Sequence, residues 1–517
     1  MSSFLHGPVI LTALSTLGAG LFHLRKDVPN SNVSPAVLGS RRSKSQHTAT
    51  KTVSRGAVID LSVYTEDAQK DFIPSLPGLD YDPGFKQFAG YLTVDEAHGR
   101  RIFYWYVESQ SNPSDDPVVL WTNGGPGCSG FVGFGTEHGP YFISQNGTLS
   151  PNKYSWNKLA SILYIEQPSG VGFSYSDTKA DYKTGDKQAA SDNYELIRQF
   201  LERFSERKSN QFYISSESYG GHYMPQLTME IINRDTAKEI NFQGMLVGNP
   251  YVDPFSNTVT QINAFYSHGL LAKPLFDQWA TSCTLPDSFD TQECQKLEEK
   301  MFKELYGKIN PYALDYPVCV PEAAKTSRRR LDSETSSQAQ KLLNYSTAGG
   351  PPFLPTEDHY RPCSEQHLNS YLNRPDVQEA LHVSHQVEKW YECSRIVDYN
   401  SRDFSSSIID QYKEVVQAAI DHDLQVFVFS GDDDSVCSTA GTQYWIWDLG
   451  WTAPPEKLWQ SWEVEKEVAG YATEFDLGAS TKGKFTFVTV HGAGHEVPAY
   501  RPMEAFEMLR KVLDHEW

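Results

Sequence analysis

The stretch Gln211–Tyr223, QFYISSESYGGHY, most strongly constrains what this chain can fold into. Its first five residues favour a β-strand, and the two glycines and the amphipathic segment that follow, to about Ile232, predict a sharp turn into a helix. Ser218 lies at that corner. A serine held there projects its hydroxyl away from the sheet, and the first N–H groups of the helix face any negative charge that develops beside it. The pattern therefore predicts a nucleophilic serine.

Only part of the usual G-x-S-x-G corner motif is present, because the chain has Ser216 where that motif has its first glycine. Ser216 is still small, which close packing of the strand against the helix requires. The sequence S-x-S-x-G also arises by chance in loops, so a simple loop serine is the alternative. The choice between the two depends on the segments around the corner.

Short β-prone runs alternate with amphipathic segments on both sides of this corner. The predicted strands are Phe85–Val94, Arg101–Glu108, Pro117–Trp121, Ser161–Ile165, Phe242–Val247, Leu424–Ser430 and Lys484–Val490. Apolar residues at helical spacing predict helices over Lys187–Arg207 and Met503–Glu516. This alternation predicts an α/β protein with a mixed, mostly parallel sheet covered on both faces. Together with the serine corner it predicts the α/β-hydrolase fold.

The alternation stops between about residues 254 and 401, and we interpret this region as a cap inserted over the carboxyl edge of the sheet. Five of the seven cysteines lie in it, so the cap is predicted to be stapled by disulfides and largely helical. The polar, basic stretch Lys325–Lys341 lacks apolar periodicity, which predicts an exposed loop inside the cap.

A glycine-rich segment, Thr122–Gly130, follows the predicted strand that ends at Trp121. Four glycines and a proline in nine residues specify a backbone that comes very close to something else. A tight surface loop is the plain interpretation. In a hydrolase with its nucleophile on the neighbouring strand, such a loop supplies a backbone N–H of the oxyanion hole, and we favour that interpretation.

Acidic and histidine residues follow the last two predicted strands. Asp432, Asp433 and Asp434 come after Leu424–Ser430, whereas His491 and His495 come after Lys484–Val490. A serine nucleophile needs a base and an acid that orients the base, and this fold supplies them in the order Ser, Asp, His. The alternative is a pair of solvated turns. The spacing does not choose among the aspartates or between the histidines.

The first 74 residues precede the predicted catalytic domain, which spans residues 75–517. An apolar run ends at Leu24 and predicts a signal peptide over 1–24, and the Ser/Thr-rich, basic segment 25–74 predicts a propeptide or a loose N-terminal arm. Seven cysteines allow three disulfides and one unpaired thiol. Glycosylation sequons begin at Asn32, Asn146 and Asn344. These features predict the secretory pathway, with the protein secreted or vacuolar/lysosomal.

A net charge of −20 disfavours nucleic acid and anionic membranes as partners. Metal-ligand spacings such as C-x-x-C and phosphate-binding glycine loops are absent from the sequence, so we expect neither a metal nor a cofactor. We expect no membrane association once the signal is removed, and either a monomer or a homodimer.

The motifs together resemble those of serine carboxypeptidases of the carboxypeptidase Y type, from about Phe85 to the C-terminus. They are WTNGGPGCS from Trp121, ESYGGHY from Glu217, GDxD from Gly431 and HGxGHxVP from His491. The resemblance implies a catalytic triad of Ser218, Asp434 and His495. It also implies an oxyanion hole from the N–H groups of Gly125 and Tyr219, and a clamp for the substrate's terminal carboxylate made of Asn123, Glu217 and Glu137.

The same resemblance implies a disulfide between Cys128 and Cys393, which ties the glycine loop to the cap. The remaining four cap cysteines can pair in three ways. We favour a nested arrangement, Cys283–Cys363 around Cys294–Cys319, which leaves Cys437 unpaired. The predicted pocket-lining residues are Trp121, Cys437 and Glu496. Gly130 stands where the family more often has a serine, and we expect it to loosen the start of the next helix.

The activity that the resemblance implies is release of C-terminal amino acids from peptides and proteins through an acyl-enzyme, favoured at acidic pH. The alternatives are an acyltransferase or a general esterase that uses the same triad. Glu496, next to His495, could favour a basic terminal residue or simply face solvent.

Overall fold

The computed structural model describes residues 60–305, 307–317, 360–387 and 389–517. The predicted signal peptide, the sequons at Asn32 and Asn344 and the predicted loop Lys325–Lys341 lie outside these residues. The strands of the described part are β1 Gln87–Asp95, β2 Arg100–Val107, β3 Val118–Thr122, β4 Tyr141–Ile143, β5 Leu149–Pro151, β6 Ser161–Glu166, β7 Tyr175–Ser176, β8 Lys183–Thr184, β9 Phe212–Glu217, β10 Phe242–Gly248, β11 Asp398–Tyr399, β12 Gln425–Gly431, β13 Gln460–Val464, β14 Glu467–Glu474 and β15 Lys484–Val490.

One large sheet organises the described residues, in the order β1-β2-β6-β3-β9-β10-β12-β15-β14-β13, with β7 beside β2. The central strands from β6 to β15 pair in parallel, and antiparallel hairpins close both edges. Strands β3, β6, β9 and β12 are buried along their whole length, as parallel strands covered on both faces must be. The predicted α/β-hydrolase fold with a mixed, mostly parallel sheet is confirmed.

The helices of the described residues are α1 Glu66–Lys70, α2 Asp186–Arg203, α3 Gly220–Arg234, α4 Pro254–Ser267, α5 Lys273–Ser282, α6 Gln292–Leu305, α7 Ser364–Leu372, α8 Pro375–Ala380, α9 Ser401–Phe404, α10 Ile409–His422, α11 Thr439–Asp448, α12 Val497–Tyr500 and α13 Pro502–Leu513. Apolar residues of α2, α3 and α10 fill the core on one face of the sheet, and those of α13 fill the other. Side chains of β9 alternate between the two, so Ile214 and Tyr213 join opposite cores. No helix among the described residues is long and apolar enough to cross a membrane.

The described part of the cap is largely helical, as predicted. Helices α4, α5 and α6 have a small apolar core of their own. The predicted nested disulfides are wrong, because Cys283 is bonded to Cys294 over a Cα–Cα distance of 5.6 Å. Cys283 follows the last residue of α5 and Cys294 lies in the first turn of α6, so two consecutive helices bring them together. Cys363 is also disulfide-bonded, but not to its predicted partner Cys283.

Residues 60–74 belong to the folded core, so the predicted boundary of the loose arm at residue 74 is too late. Ala68 in α1 is fully buried, and Tyr64 is buried among the apolar residues beside the sheet. Asp71 forms an ion pair with Arg203 of α2 at 2.6 Å, and Phe72 pairs with Phe88 of β1. A helix of five residues is too short to leave a periodic signal in the sequence.

Candidate active site

The serine corner lies at the carboxyl end of β9, where Ser218 stands between the strand and helix α3. Its φ of +60° is a left-handed conformation that a non-glycine residue adopts only under constraint, and its N–H donates to the carbonyl of Gly248 at 2.9 Å. A Cβ on Gly220 would lie 2.1 Å from the Ser216 Oγ. Ser216 therefore fills the space that a side chain at Gly220 would need.

The glycine loop packs directly against this corner. A Cβ on Gly124 would lie 2.4 Å from the Tyr219 nitrogen and 2.9 Å from the Ser218 Cβ, so only glycine permits the approach. Gly125 has a φ of +116°. Within the described residues, the N–H groups of Gly125 and Tyr219 have no hydrogen-bond acceptor. Two unpaired N–H groups beside a serine can stabilise an anion that forms there.

Gly130 lies where the glycine loop crosses β6. A Cβ at this position would lie 2.4 Å from the Ile165 carbonyl oxygen, and the Gly130 N–H donates to that oxygen at 3.1 Å. The glycine therefore permits a close crossing of the glycine loop and β6. Its effect on the short π-helix Gly133–Glu137 that follows stays a prediction.

A buried His–Asp pair lies two strands away from the serine corner. His495, after β15, places its Nδ1 2.6 Å from the Asp434 Oδ2, and both side chains are buried. The Asp434 carboxylate also accepts hydrogen bonds from the N–H groups of Val436 at 2.7 Å and Cys437 at 3.1 Å. Burial alone would lower the pKa of His495, but the Asp434 carboxylate outweighs burial and raises it. A base with this partner can take a proton from a serine and hold the charge.

The other aspartates and histidine that the sequence could not exclude have different surroundings. His491 Nδ1 lies 2.7 Å from the Asp432 Oδ2, but the His491 side chain is 72% exposed, against 3% for His495. Asp433 is buried and accepts a hydrogen bond from the Asp315 N–H at 3.0 Å. His268, Asp315 and Asp433 also bring possible metal-ligand atoms within 4.8 Å of one another.

Asn249 is a site residue that the sequence analysis missed. It directly follows β10, is fully buried, and its Nδ2 donates to the Asp434 Oδ2 at 2.9 Å. Its Oδ1 accepts the Gly431 N–H at 3.0 Å, so one side chain fixes both the end of β12 and the acid. The only signal in the sequence is a polar residue at the end of a buried strand.

A buried cluster of one amide and two carboxyl groups lies beside the glycine loop. The Asn123 Nδ2 donates to the Glu217 Oε1 at 2.8 Å and to the Glu137 Oε1 at 3.0 Å. The Glu137 Oε2 is buried without a partner among the described residues. The Asn123 Oδ1 accepts the indole N–H of Trp121 at 2.9 Å and the Gly133 N–H at 3.0 Å, which fixes the direction of the amide.

Burial and mutual repulsion keep protons on this cluster. Burial, and then the neighbouring Glu496, raises the pKa of Glu137 to about 8. Burial, and then Glu137, raises the pKa of Glu217 well above its ordinary value. Glu137 and His495 each influence the other's pKa, which places the cluster within electrostatic reach of the His–Asp pair. Protonated carboxyl groups beside an amide N–H can donate to an incoming carboxylate.

The three residues predicted to line the pocket differ in how far they are buried. Trp121 is fully buried, so its ring supports Asn123 from behind. Cys437 is a free cysteine that is 3% exposed, and burial raises the pKa of its thiol well above the ordinary value. Glu496 is half-buried beside His495, and burial raises its pKa despite the opposing effect of His495.

The glycine loop is fastened to the last part of the cap. The disulfide Cys128–Cys393, which the resemblance implied, is present. The Ser129 N–H donates to the Glu392 carbonyl at 2.8 Å, and the Ser394 N–H donates to the Gly127 carbonyl at 2.9 Å. The loop that carries Gly125 is therefore held from the cap side. Asn146, the sequon residue within the described part, is exposed on the turn between β4 and β5.

Fold and site together place this chain among the α/β-hydrolases, with a serine corner and a buried His–Asp pair at the carboxyl edge of the sheet. The family model described as serine carboxypeptidase matches residues 77–515, so the chain belongs to the serine carboxypeptidase family.

Known relatives and a solved structure agree with this assignment. Serine carboxypeptidase-like 26 of Arabidopsis thaliana is 38% identical over 458 residues, which cover 87% of this chain and 94% of the relative. Serine carboxypeptidase-like 25 of the same plant is 35% identical over 456 residues, which cover 87% and 92%. The crystal structure of Kex1(delta)p, a prohormone-processing carboxypeptidase from Saccharomyces cerevisiae, is similar with a TM-score of 0.65 and 19% identity over 87% of this chain and 95% of that one. At that identity the likeness concerns the fold alone.

Proposed function

We propose that this protein is a serine-type carboxypeptidase that releases C-terminal amino acids from peptides and proteins. The observation that carries the proposal is the buried cluster of Asn123, Glu137 and Glu217 beside the Asp434–His495 pair. A triad alone would serve any acyl transfer. A cluster of hydrogen-bond donors for a carboxylate is needed only when the substrate ends in one.

The proposed reaction begins with attack of the Ser218 Oγ on the carbonyl carbon of the last peptide bond. His495 accepts the hydroxyl proton while Asp434 holds its Nδ1–H, and the same proton then goes to the leaving amine. The resulting acyl-enzyme is hydrolysed by a water that His495 activates in turn. The N–H groups of Gly125 and Tyr219 are the proposed donors to the oxyanion in both steps.

The proposed clamp works in the protonated state. The Asn123 amide and the proton-bearing carboxyls of Glu137 and Glu217 donate hydrogen bonds to the terminal carboxylate of the substrate. The clamp should therefore hold peptides best below about pH 8, the pKa of Glu137. His495 must be neutral to act as a base, and Asp434 raises its pKa, which sets the acid limit. We propose that peptide turnover is favoured on the acidic side of pH 8, down to the pH at which His495 becomes protonated.

A pair of matched substrates tests the proposal. The purified protein is incubated with a blocked dipeptide that has a free carboxylate and with the same dipeptide amidated at its C-terminus. We expect kcat/KM at about pH 7 to favour the free acid by at least about 100-fold, which corresponds to two charge-assisted hydrogen bonds. Equal rates on both substrates would instead support the general esterase or acyltransferase, and an added alcohol or amine acceptor would distinguish those two.

We also propose that the enzyme works in the secretory pathway, as a monomer or homodimer, and is secreted or vacuolar. The support is the predicted signal peptide over residues 1–24 and the disulfide Cys128–Cys393, a bond typical of oxidising compartments. Chemical labelling and identification of the N-terminal residue of the protein from its native source would show whether the predicted signal peptide, residues 1–24, has been removed.

A further inference from the structure

A second buried carboxylate lies behind the serine corner, and the proposed reaction does not use it. The Asp186 carboxylate accepts hydrogen bonds from the hydroxyls of Tyr399 at 2.6 Å and Tyr219 at 3.1 Å. It also accepts one from the Gln226 Nε2 at 2.8 Å, and the His222 Nδ1 lies 3.0 Å from its Oδ2. Asp186 is therefore a hub on which several polar side chains converge.

This hub joins elements that surround the nucleophile. Asp186 is the first residue of α2, whereas His222 and Gln226 lie in the first two turns of α3, the helix that the serine corner begins. Tyr399 belongs to β11, at the end of the cap. The Asp186 N–H donates to the Asp403 Oδ2 at 2.9 Å, so the hub itself is fixed from α9. Burial would raise the pKa of Asp186, but its donors, His222 first, outweigh burial and lower it, so the group is a carboxylate.

Tyr219 connects the hub to the proposed oxyanion hole. Its side chain is 1% exposed, and its ring stacks on His222 at 4.5 Å and on Phe404 at 5.9 Å between centroids. The Asp186 carboxylate anchors the hydroxyl at the far end of the ring. With ring and hydroxyl both held, the backbone of Tyr219 has little freedom to rotate. Its N–H, which adjoins Gly124, is then kept in one direction.

We infer that Asp186 is a positioning residue for the oxyanion hole, and that it acts through the hydroxyl and ring of Tyr219. The inference rests on the proposed function in one respect, that the Tyr219 N–H donates to the oxyanion. A carboxypeptidase and an esterase would both use the N–H in this way. Oxyanion donors must lie about 2.7–3.1 Å from the developing oxyanion. A displacement of about 1 Å reduces turnover about 100-fold. Loosening Tyr219 therefore lowers kcat and leaves substrate binding largely unchanged.

The variants Tyr219→Phe and Asp186→Asn of the full chain test the inference. Tyr219→Phe keeps the backbone N–H and removes only the hydroxyl. We expect kcat on a chromogenic ester to fall about 10-fold or more with KM changed less than about twofold. The affinity for a peptide aldehyde, which forms a tetrahedral adduct with the serine, should fall by the same factor as kcat/KM. The double variant should be no worse than Asp186→Asn alone, because both changes break one connection.

Tyr104→Phe is the matched control. The Tyr104 hydroxyl also donates to a partly buried aspartate, Asp71, at 2.5 Å, and the Tyr104 ring is fully buried in β2. This variant should lose similar stability and keep the parent's kcat and aldehyde affinity. If Asp186→Asn does not fold, Tyr399→Phe replaces it, because that change removes the other hydroxyl on the same carboxylate.

Two outcomes would overturn the inference: a kcat of Tyr219→Phe within about twofold of the parent, or an equal loss in Tyr104→Phe. If the parent shows no preference for the free carboxylate but Tyr219→Phe still lowers ester turnover, the proposed function is wrong and the inference still holds. If the parent turns over neither substrate, the rate of serine labelling by a fluorophosphonate replaces kcat, with the same expected ratio.

Discussion

Two His–Asp pairs stand at the carboxyl edge of the sheet, and both have good hydrogen-bond geometry. The Asp432–His491 pair spans 2.7 Å and the Asp434–His495 pair 2.6 Å, so distance does not distinguish them. Their surroundings do, because only Asp434 and His495 are both buried, and only Asp434 is held by Asn249. A dry, fixed dyad can stabilise a charged imidazole much better than an exposed one.

We predict that Asp434→Asn and His495→Ala reduce kcat by about 10⁴-fold, because each removes one member of a unit that acts jointly. Ser218→Ala should do the same. The control variants Asp432→Asn and His491→Ala make the same substitutions in the exposed pair. Their kcat should stay within about threefold of the parent's. Steady-state kinetics on one peptide, with thermal unfolding to verify folding, decides this. Equal losses in both groups would mean that the triad is wrongly assigned.

The Glu217→Gln variant tests the clamp through the dependence of binding on pH. Below about pH 8 the carboxyls of Glu137 and Glu217 hold protons and can donate, whereas at higher pH the protons leave and the cluster repels a carboxylate. The KM of a peptide acid should therefore rise above pH 8, by about tenfold per pH unit where one proton controls binding. In Glu217→Gln we expect weaker binding at low pH and a shallower rise.

The amidated peptide is the internal control for this profile. It has no terminal carboxylate, so its KM should stay flat through pH 8 in the parent and in the variant. A peptide-acid profile of Glu217→Gln that coincides with that of the parent would disprove the clamp.

Among the structural elements, the strand-to-helix corner offers the sharpest test of packing. Ser216 and Gly220 face each other so closely that a Cβ on Gly220 would lie 2.1 Å from the Ser216 Oγ. We predict that Gly220→Ala destabilises the protein by about 1–3 kcal/mol through overpacking. Adding Ser216→Gly should recover most of this loss, apart from about 1 kcal/mol for the hydrogen bond that the Ser216 Oγ donates to the Thr122 carbonyl at 2.6 Å.

Gly221→Ala is the control for that pair. A Cβ there would lie 2.3 Å from the Tyr251 carbonyl oxygen, a contact with backbone that Ser216→Gly cannot relieve. Denaturant unfolding of the single and double variants measures the coupling. If Ser216→Gly rescued Gly220→Ala and Gly221→Ala equally, the reciprocal packing would be wrong.

The core strands could be predicted from the sequence because they are buried apolar runs bounded by glycine and polar residues. Lys484–Val490 was predicted with its bounds as they are in β15, and Phe242–Val247 falls one residue short of β10. Helix α2 ends at Arg203, four residues before the predicted end, because Ser205–Arg207 continues as a 3₁₀ turn. The hairpin of β13 and β14 went unpredicted, since its exposed residues leave little apolar alternation.

The site is less predictable, because its connections join segments distant in sequence. Asn249 contacts Asp434 across 185 positions, and the Asp186 hub takes donors from two segments, the serine corner with α3 and β11. No local pattern marks either residue. The pairing of Cys283 with Cys294 was missed for the opposite reason, because it depends on how two adjacent helices turn back on each other.

At the scale of the whole fold, several carboxyl groups of the described residues are buried without an ion-pair partner there, and this links stability to pH. Burial raises the pKa of Glu137 to about 8 and that of Glu166 to about 7. Glu166 is fully buried. Its pKa is raised even though the Ser129 hydroxyl, the Phe173 N–H and the Trp390 indole N–H all donate hydrogen bonds to its carboxylate, which lowers the pKa. A carboxyl whose pKa is raised in the folded state stabilises that state fully below its unfolded pKa, and this stabilisation is lost as the pH rises through the folded value.

We therefore predict that the free energy of unfolding falls as the pH is raised from about 5 to 8.5, on the order of a few kcal/mol in total. Glu166→Gln removes one titrating group but keeps the Oε1 that accepts from Ser129 and Trp390. This variant should be less stable at pH 5, because its amide N–H faces the Phe173 N–H, and its stability should fall less steeply with pH. Glu516→Gln, at an exposed position near the C-terminus, is the control. It should parallel the parent at these pH values, because Arg510 lowers the pKa of Glu516 to about 2. Denaturant unfolding at constant ionic strength, with the disulfides intact, measures all three slopes. Parallel slopes for Glu166→Gln and the parent would show that Glu166 keeps its charge in the folded protein, and that its hydrogen bonds outweigh its burial.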